Sequence, residues 1–425
     1  MSGAAQQSGA LSGLRVVELA SEQGAFAGKL LGDLGAEVIL VEPKGGHPTR
    51  RFGPFPKHDP DAAAGLWWWH FNTSKLGVEL DLNVDDDRRR LAALISDADL
   101  VLEAEPPGRL RDVGLDYGSF GENERLVWIS VAPFGSDHPR AHEPATDLTL
   151  MAGAGPVWSC GYDDHALPPV RCEGDQGYQT ASIFAVMAGL TAFLSRMRTG
   201  LGQYVDVSSY AASNVTTETA TVYWLVAQQT VTRQTGRHAA ITQTTEAYAY
   251  AADGRLVHTG TLPRVAREYS ALIEWLDALG LRDDFPDAIF LEMAVERGEI
   301  PLSEIGHDPV ITEICRAARD AFHLIASRVT GHDFFIGAQS RGLQAGVVNT
   351  VADLVDDPQY AARGFLVERD EPELGGAVVY PGAPFRMSKT PWRLAGRAPH
   401  LGEHNEVVLA KSRPLDTSTA ERSST

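Results

Sequence analysis

The chain has 425 residues, with 37 Lys and Arg against 56 Asp and Glu, a net charge of −19. At roughly 100–200 residues per domain this length predicts two or three domains. Hydrophobic residues at 44% and charged residues at 22% are the composition of a globular protein. The acidity argues against nucleic acid and anionic membrane as partners. Three cysteines, Cys160, Cys172 and Cys315, are too few for a disulfide framework and fit no zinc spacing, so no metal is expected and a reducing cytoplasm is the expected location. Residues 1–11 lack the basic and apolar regions of a signal peptide. No run approaches the roughly 18 apolar residues of a membrane span. The Ser/Thr-rich tail 411–425 is expected to be disordered.

In chain order, residues 15–19 form a short β-branched run, and Phe26, Leu30, Leu31 and Leu34 then recur at helical spacing before Gly35. Residues 38–41 follow as a buried strand. This is a βαβ unit, which implies parallel strands and a right-handed crossover. A second unit follows: strand 76–82, helix 87–98 and strand 100–102, with a further strand at 126–131. The first 135 residues or so therefore predict an open α/β sheet. The loop after the first strand, Ala20-Ser21-Glu22-Gln23-Gly24, lacks the GxGxxG dinucleotide fingerprint. Its place at a strand's carboxyl end is still where open sheets bind ligands.

A long helix is predicted over residues 179–197, with Ile183, Met187, Leu190, Leu194 and Met197 on its period, and a strand over 204–208. From about 250 to 333 the composition turns to acidic helices, with Asp253-Gly254 as a turn between short strands. Residues 351–363 predict a helix, 379–385 a strand and 398–406 a loop.

These segments together resemble the family III CoA-transferases of the CaiB/BaiF type. The resemblance lies in Leu11 to Leu19, Leu31-Gly32-Asp33-Leu34-Gly35-Ala36-Glu37, Val41-Glu42-Pro43-Lys44 and Asp147-Leu148. It continues through Arg198 to Ser208, Asp357-Pro358-Gln359, Gly382-Ala383-Pro384-Phe385 and Ala398 to His404. It implies a Rossmann-like open-sheet domain built from both chain ends (1–225 and 345–425) and a smaller inserted α+β domain (226–344). It further implies an interlocked dimer, acyl-CoA and a carboxylic acid as substrates, and no permanently bound cofactor. Gln23, Gly24, Lys44, Asn72 and Lys75 match positions near CoA in the family, and Arg50 and Arg51 follow Lys44.

CoA transfer between acids by the covalent route needs a carboxyl nucleophile. The resemblance places that Asp before the long helix, and counting back from Thr199-Gly200 reaches Tyr178. The run Gln176-Gly177-Tyr178 is closest to the branch that includes the non-catalytic subunit of benzylsuccinate CoA-transferase. Asp175 is read first as the helix cap, which Asp favours, and second as a displaced catalytic nucleophile. Tyr178 is read as a packing residue. Ala104 replaces the Asn of the family's CoA-contacting stretch, and Leu40 a usual Lys. A 2-methylacyl-CoA racemase or isomerase would need a His before Asp147, where Thr146 stands.

Trp67-Trp68-Trp69 is expected in a core or dimer contact, and His400 and His404 as loop-fixing residues. Thr259-Gly260-Thr261 is the nearest candidate for a Gly-rich closing loop. The chain is thus expected to be a cytoplasmic CoA-transferase, as a homodimer or as a heterodimer with an Asp-bearing paralogue. A CoA-thioester-binding protein without turnover is the alternative.

Overall fold

The computed structural model describes residues 9–410 except 57–58, 60–62, 172, 238 and 243–245. The readings for residues 1–8, for Cys172 and for the 411–425 tail lie outside the described residues. The chain divides into two compact units, one of residues 1–156, 171–218 and 361–425, the other of 157–170 and 219–360.

In the first unit, β1 (Arg15–Leu19), α1 (Ala25–Asp33) and β2 (Glu37–Glu42) form the expected βαβ crossover. There follow α2 (Leu66–Phe71), β3 (Lys75–Glu79), α3 (Asp85–Ser96), β4 (Leu100–Glu103), α4 (Arg109–Asp112) and β5 (Val127–Ala132). Next come α5 (Asp147–Gly153), α6 (Gln176–Thr199), β6 (Tyr204–Ser208) and α7 (Ser209–Asn214). The six strands pair in parallel in the order β3-β2-β1-β4-β5-β6, with Val17 opposite both Ile39 and Val101. Near-continuous apolar strands are what a parallel sheet covered on both faces requires. Val17, Ile39, Val78 and Trp128 pack with Leu91 and Leu94 on one face. Val16, Val38, Leu100 and Ile129 pack with Leu31, Ala181 and Ala185 on the other. The strand order reverses between β1 and β4, so the loop after β1 stands at the topological switch point.

Most of the large apolar residues on the period of α6 do not face the sheet. Ile183, Met187, Leu194 and Met197, which set its period, are exposed at 53%, 55%, 61% and 69%. The face on the sheet is instead small: Ala181, Ala185, Gly189 and Ala192. Closeness dictates this, since a Cβ on Gly189 would sit 2.3 Å from Ile129 Cδ1. With two apolar faces, α6 is also long and apolar enough to cross a membrane by length and composition, contrary to the expectation that no such run exists.

The edge of the sheet is closed by late sequence. Gly77 N–H donates to His404 Nδ1 at 3.1 Å, Gly77 O accepts from His404 N–H at 2.9 Å, and Glu79 N–H donates to Asn405 Oδ1 at 2.9 Å. The 379–385 strand is Gly376–Pro381, one arm of an antiparallel hairpin whose other arm, Leu366–Glu371, ends in four charged residues. The predicted helix 351–363 is two, Val351–Val355 and Pro358–Arg363, broken where Pro358 disfavours helical backbone before it.

The second unit holds α8 (Glu218–Ala227) and a three-stranded antiparallel sheet of β7 (Tyr248–Tyr250), β8 (Leu256–His258) and β9 (Gly346–Val347). Its helices α9 (Ala266–Ala278), α10 (Ala288–Arg297), α11 (Pro309–Ala326) and α12 (Gly331–Ser340) enclose Leu272, Trp275, Phe322 and Phe334. It is larger than 226–344. Residues 157–170 join it because Trp158 Nε1–H donates to Val231 O at 2.7 Å and Arg233 donates to Leu167 O at 3.1 Å. Its later end is held by pairing of β8 with β9.

Candidate active site at the switch point

Beneath the first crossover lies a buried ionic layer. Glu18, the one charge in an otherwise apolar β1 interior, accepts from Lys75 Nζ at 2.8 Å. Lys75 spends its other donors on Ala25 O and Asn72 Oδ1, both at 2.9 Å. Asn72 Nδ2–H donates to Trp68 O at 3.2 Å. Burial lifts the Glu18 carboxyl to about 7 despite Lys75, and lowers Lys75. Gly28 makes room for this acid, since a Cβ there would lie 1.8 Å from Glu18 Oε2. Alongside, Lys29 Nζ donates to Asp33 at 2.8 Å and to Thr73 Oγ1 at 2.6 Å. Burial, then Lys29, pushes His70 down to about 4, so it is neutral.

Gln23 and Gly24 are in the loop at the switch point. Gln23 is held by hydroxyls, its carbonyl accepting from Ser182 at 2.8 Å and its Oε1 from Ser209 at 3.3 Å. Gly24 N–H donates to Ser21 Oγ at 3.0 Å. Lys44 and Arg51 are exposed after β2. Arg50 is buried, forks onto Glu42 with both bonds at 2.7 Å, donates to Pro399 O at 3.0 Å, and stacks 4.0 Å over the Trp68 ring. The five residues expected near CoA therefore divide: Gln23, Gly24, Asn72 and Lys75 build the loop and its floor, and Lys44 stays free on the surface.

At the start of α6 the cap differs from the expectation. Asp175 occupies the N-cap position, yet its side chain makes no cap hydrogen bond. The reason is Asp147 at the start of α5. Its Oδ1 accepts Tyr178 N–H at 3.1 Å, and Gly177 N–H bonds it too. Gly177 is required for that approach, because a Cβ would fall 2.8 Å from Asp147 Oδ1. Arg171 reaches Asp147 Oδ2 at 3.3 Å. Asp175 Oδ2 instead accepts the Trp67 indole N–H at 3.2 Å.

Trp67 heads an aromatic wall, with Phe52 at 5.5 Å and Phe71 at 4.6 Å between ring centroids. Trp68 and Trp69 are buried in the core. Tyr178 is 5% exposed, and burial, with Glu22 and Asp147 nearby, lifts its phenol above the usual value. Glu22 was not singled out by sequence. It is half-buried, and burial together with Asp175 and Asp147 pushes it up to about 6. Thr146, in the place of the racemase His, forms a capping box with Thr149.

Where β4 and β5 end, a cleft of about 610 Å³ is lined by Glu103, Glu105, Arg111, Asp116, Asp137 and Tyr204, among others. His400 and His404 serve the C-terminal loop, His400 Nε2 lying 3.0 Å from Glu373. Among the described residues no cluster of His, Cys, Asp and Glu is arranged to hold a metal. Thr259-Gly260-Thr261 lies in the second unit.

The missed signals were faint. Glu18 and Lys75 are charges in buried strands two places apart in the sheet, and only the sheet order makes them neighbours.

The profile of CoA-transferase family III matches residues 11–405. Subunit BbsE of succinyl-CoA:(R)-benzylsuccinate CoA-transferase from Thauera aromatica is 32% identical over 403 residues, covering 94% of this chain and 93% of that one. A succinyl-CoA:mesaconate CoA-transferase from Haloarcula marismortui is 28% identical over 97% of this chain and 98% of its own. A CaiB/BaiF family protein from Brucella suis has the same fold, with a TM-score of 0.75 at 24% identity over 96% of this chain and all 100% of that one. The chain belongs to CoA-transferase family III.

Proposed function

We propose that this chain is the non-catalytic subunit of a cytoplasmic CoA-transferase that moves CoA between carboxylic acids, and that an Asp-bearing partner chain supplies the chemistry. The observation that carries this is that Tyr178, at the position where the resemblance puts the family's Asp, is buried in the first turn of α6. In that route a carboxylate attacks the donor thioester, giving a mixed anhydride and CoA thiolate. The thiolate then attacks the enzyme's acyl carbon, forming an enzyme thioester and freeing the donor acid. The acceptor carboxylate attacks that thioester, and the returning thiolate takes its acyl group. A phenol has no acyl carbon to hold CoA, so Tyr178 fails at the second step. The likeness to a named subunit, BbsE, supports the same reading.

The outward face of α6 supports a paired assembly. Met187 and Leu194 stand more than half exposed on a helix whose other face is buried, and a partner chain of the interlocked kind covers them.

One observation favours a self-sufficient enzyme: Asp147 performs the capping, so the Asp175 carboxylate is not held as a cap and accepts the Trp67 indole N–H instead. The test is to treat the purified chain with succinyl-CoA and hydroxylamine. No hydroxamate, with transferase activity only after co-expression with an Asp-bearing paralogue, is the expected result. Hydroxamate on Asp175 would overturn the subunit reading.

A further inference from the structure

A buried cation is costly unless a carboxylate or a ligand meets it. Four buried cations of the first unit are each met: Lys29 lies 2.8 Å from Asp33, Arg50 2.7 Å from Glu42, Lys75 2.8 Å from Glu18 and Arg196 2.6 Å from Asp99. Arg233, in the second unit, differs. It is 5% exposed, and no carboxylate lies within ion-pair distance of it among the described residues. Asp163, on the segment that covers it, is taken by Arg237.

What Arg233 holds is main chain. Its Nη2 donates to His165 O at 3.3 Å and to Leu167 O at 3.1 Å, and its guanidinium stands 5.7 Å from the centre of the Trp158 ring. Its Nε–H is sealed from solvent without a partner, and its Nη1 makes no hydrogen bond among the described residues. Gly161 leaves room for the side chain, since a Cβ there would stand 2.9 Å from Arg233 Cδ. These carbonyls belong to the strap Val157–Val170. Val157 is its one buried residue, and residues 162–170 are all exposed. The strap is held by hydrogen bonds, from Trp158 Nε1–H to Val231 O at 2.7 Å and from Asp163 N–H to Thr235 Oγ1 at 2.9 Å, rather than by a packed core. A segment with so few buried apolar side chains opens easily.

We propose that Arg233 is a carboxylate receptor: when the strap lifts, a small organic acid binds there, and its two oxygens take the guanidinium from the carbonyls of His165 and Leu167. The planar fork of N–H donors meets a carboxylate in two parallel bonds, and such charge-assisted bonds are roughly twice as strong as those to neutral acceptors. The acid supplies the counter-charge that the buried guanidinium lacks. One guanidinium matches the single charge of a carboxylate better than the nearly double charge of a phosphate. The proposal rests on the transfer between acids put forward above, and not on which chain supplies the nucleophile.

The test is calorimetric titration of succinate into the folded full-length chain, with hydrogen exchange of residues 157–170 followed in parallel. Saturable binding is expected, weakened roughly tenfold or more by Arg233→Met and by less in Arg233→Lys, which keeps the charge and loses the fork. Succinate is expected to speed exchange of the strap amides in the unaltered chain, a readout that decides the matter even if Arg233→Met does not fold. No saturable binding, binding unchanged by Arg233→Met, or strap exchange indifferent to succinate would each overturn the proposal. Inorganic phosphate bound as tightly as succinate would overturn the choice of a carboxylate. A chain that binds succinate through Arg233, while no assembly containing it transfers CoA, would defeat the proposed function and leave this site standing.

Discussion

Asp147 accepts the backbone N–H of Tyr178 at 3.1 Å, so the first turn of α6 is capped by a side chain from α5 rather than by its own N-cap residue. Removing that acceptor by Asp147→Ala should lower stability by about 1 kcal/mol or somewhat more, the usual value of a cap. Asp147→Asn keeps an acceptor oxygen and should lose less. Urea denaturation of the three proteins checks the order; an unchanged Asp147→Ala midpoint would remove the cap from the account.

The Glu18–Lys75 pair makes a second prediction. Lys75→Met leaves a fully buried carboxylate without its partner, which typically costs about 3–5 kcal/mol. The double change Glu18→Gln with Lys75→Met should recover part of that loss. Equal losses for the single and double variants would show that the two groups do not stabilise each other.

Glu22 predicts a pH dependence. Its folded value of about 6 lies above the ordinary 4.5, so the folded chain binds more protons than the unfolded chain between those values. Stability therefore falls as pH rises through that window. Half-exposure screens the effect to roughly 1 kcal/mol. Glu22→Gln should flatten this part of the stability–pH curve, as thermal melts at pH 4.5 and 6.5 would show; a slope as steep as before would assign it to other groups.

Placing charge on the outer face of α6, by Met187→Asp with Leu194→Asp, should leave the melting transition of the isolated chain nearly unchanged, because both side chains are already exposed. It should abolish assembly with a partner, seen as a fall in mass by light scattering. A variant that still assembles would place the interface elsewhere.

The open sheet was legible in local pattern. Short apolar runs and a βαβ spacing place all six strands of the parallel sheet near their observed positions, since buried parallel strands are continuously apolar. The orientation of α6 was not legible, because large apolar residues mark a face as apolar without saying what covers it. Only the contact of Gly189 with Ile129 shows that the small residues face the sheet. The cap at Tyr178 was hidden for a different reason. Its acceptor lies 31 residues earlier, a separation no local spacing carries. The hairpin arm Leu366–Glu371 escaped because its consecutive Glu368, Arg369, Asp370 and Glu371 resemble surface loop.

The clasp on β3 has a consequence for how the protein comes into being. The partners of Gly77 and Glu79 lie 327 and 326 residues further along. During synthesis that strand therefore waits with its outer rim bare while most of the polypeptide is still being made. An unsealed rim invites pairing with another chain, so the interval before residues 404 and 405 emerge is when nascent molecules are most vulnerable to sticking together.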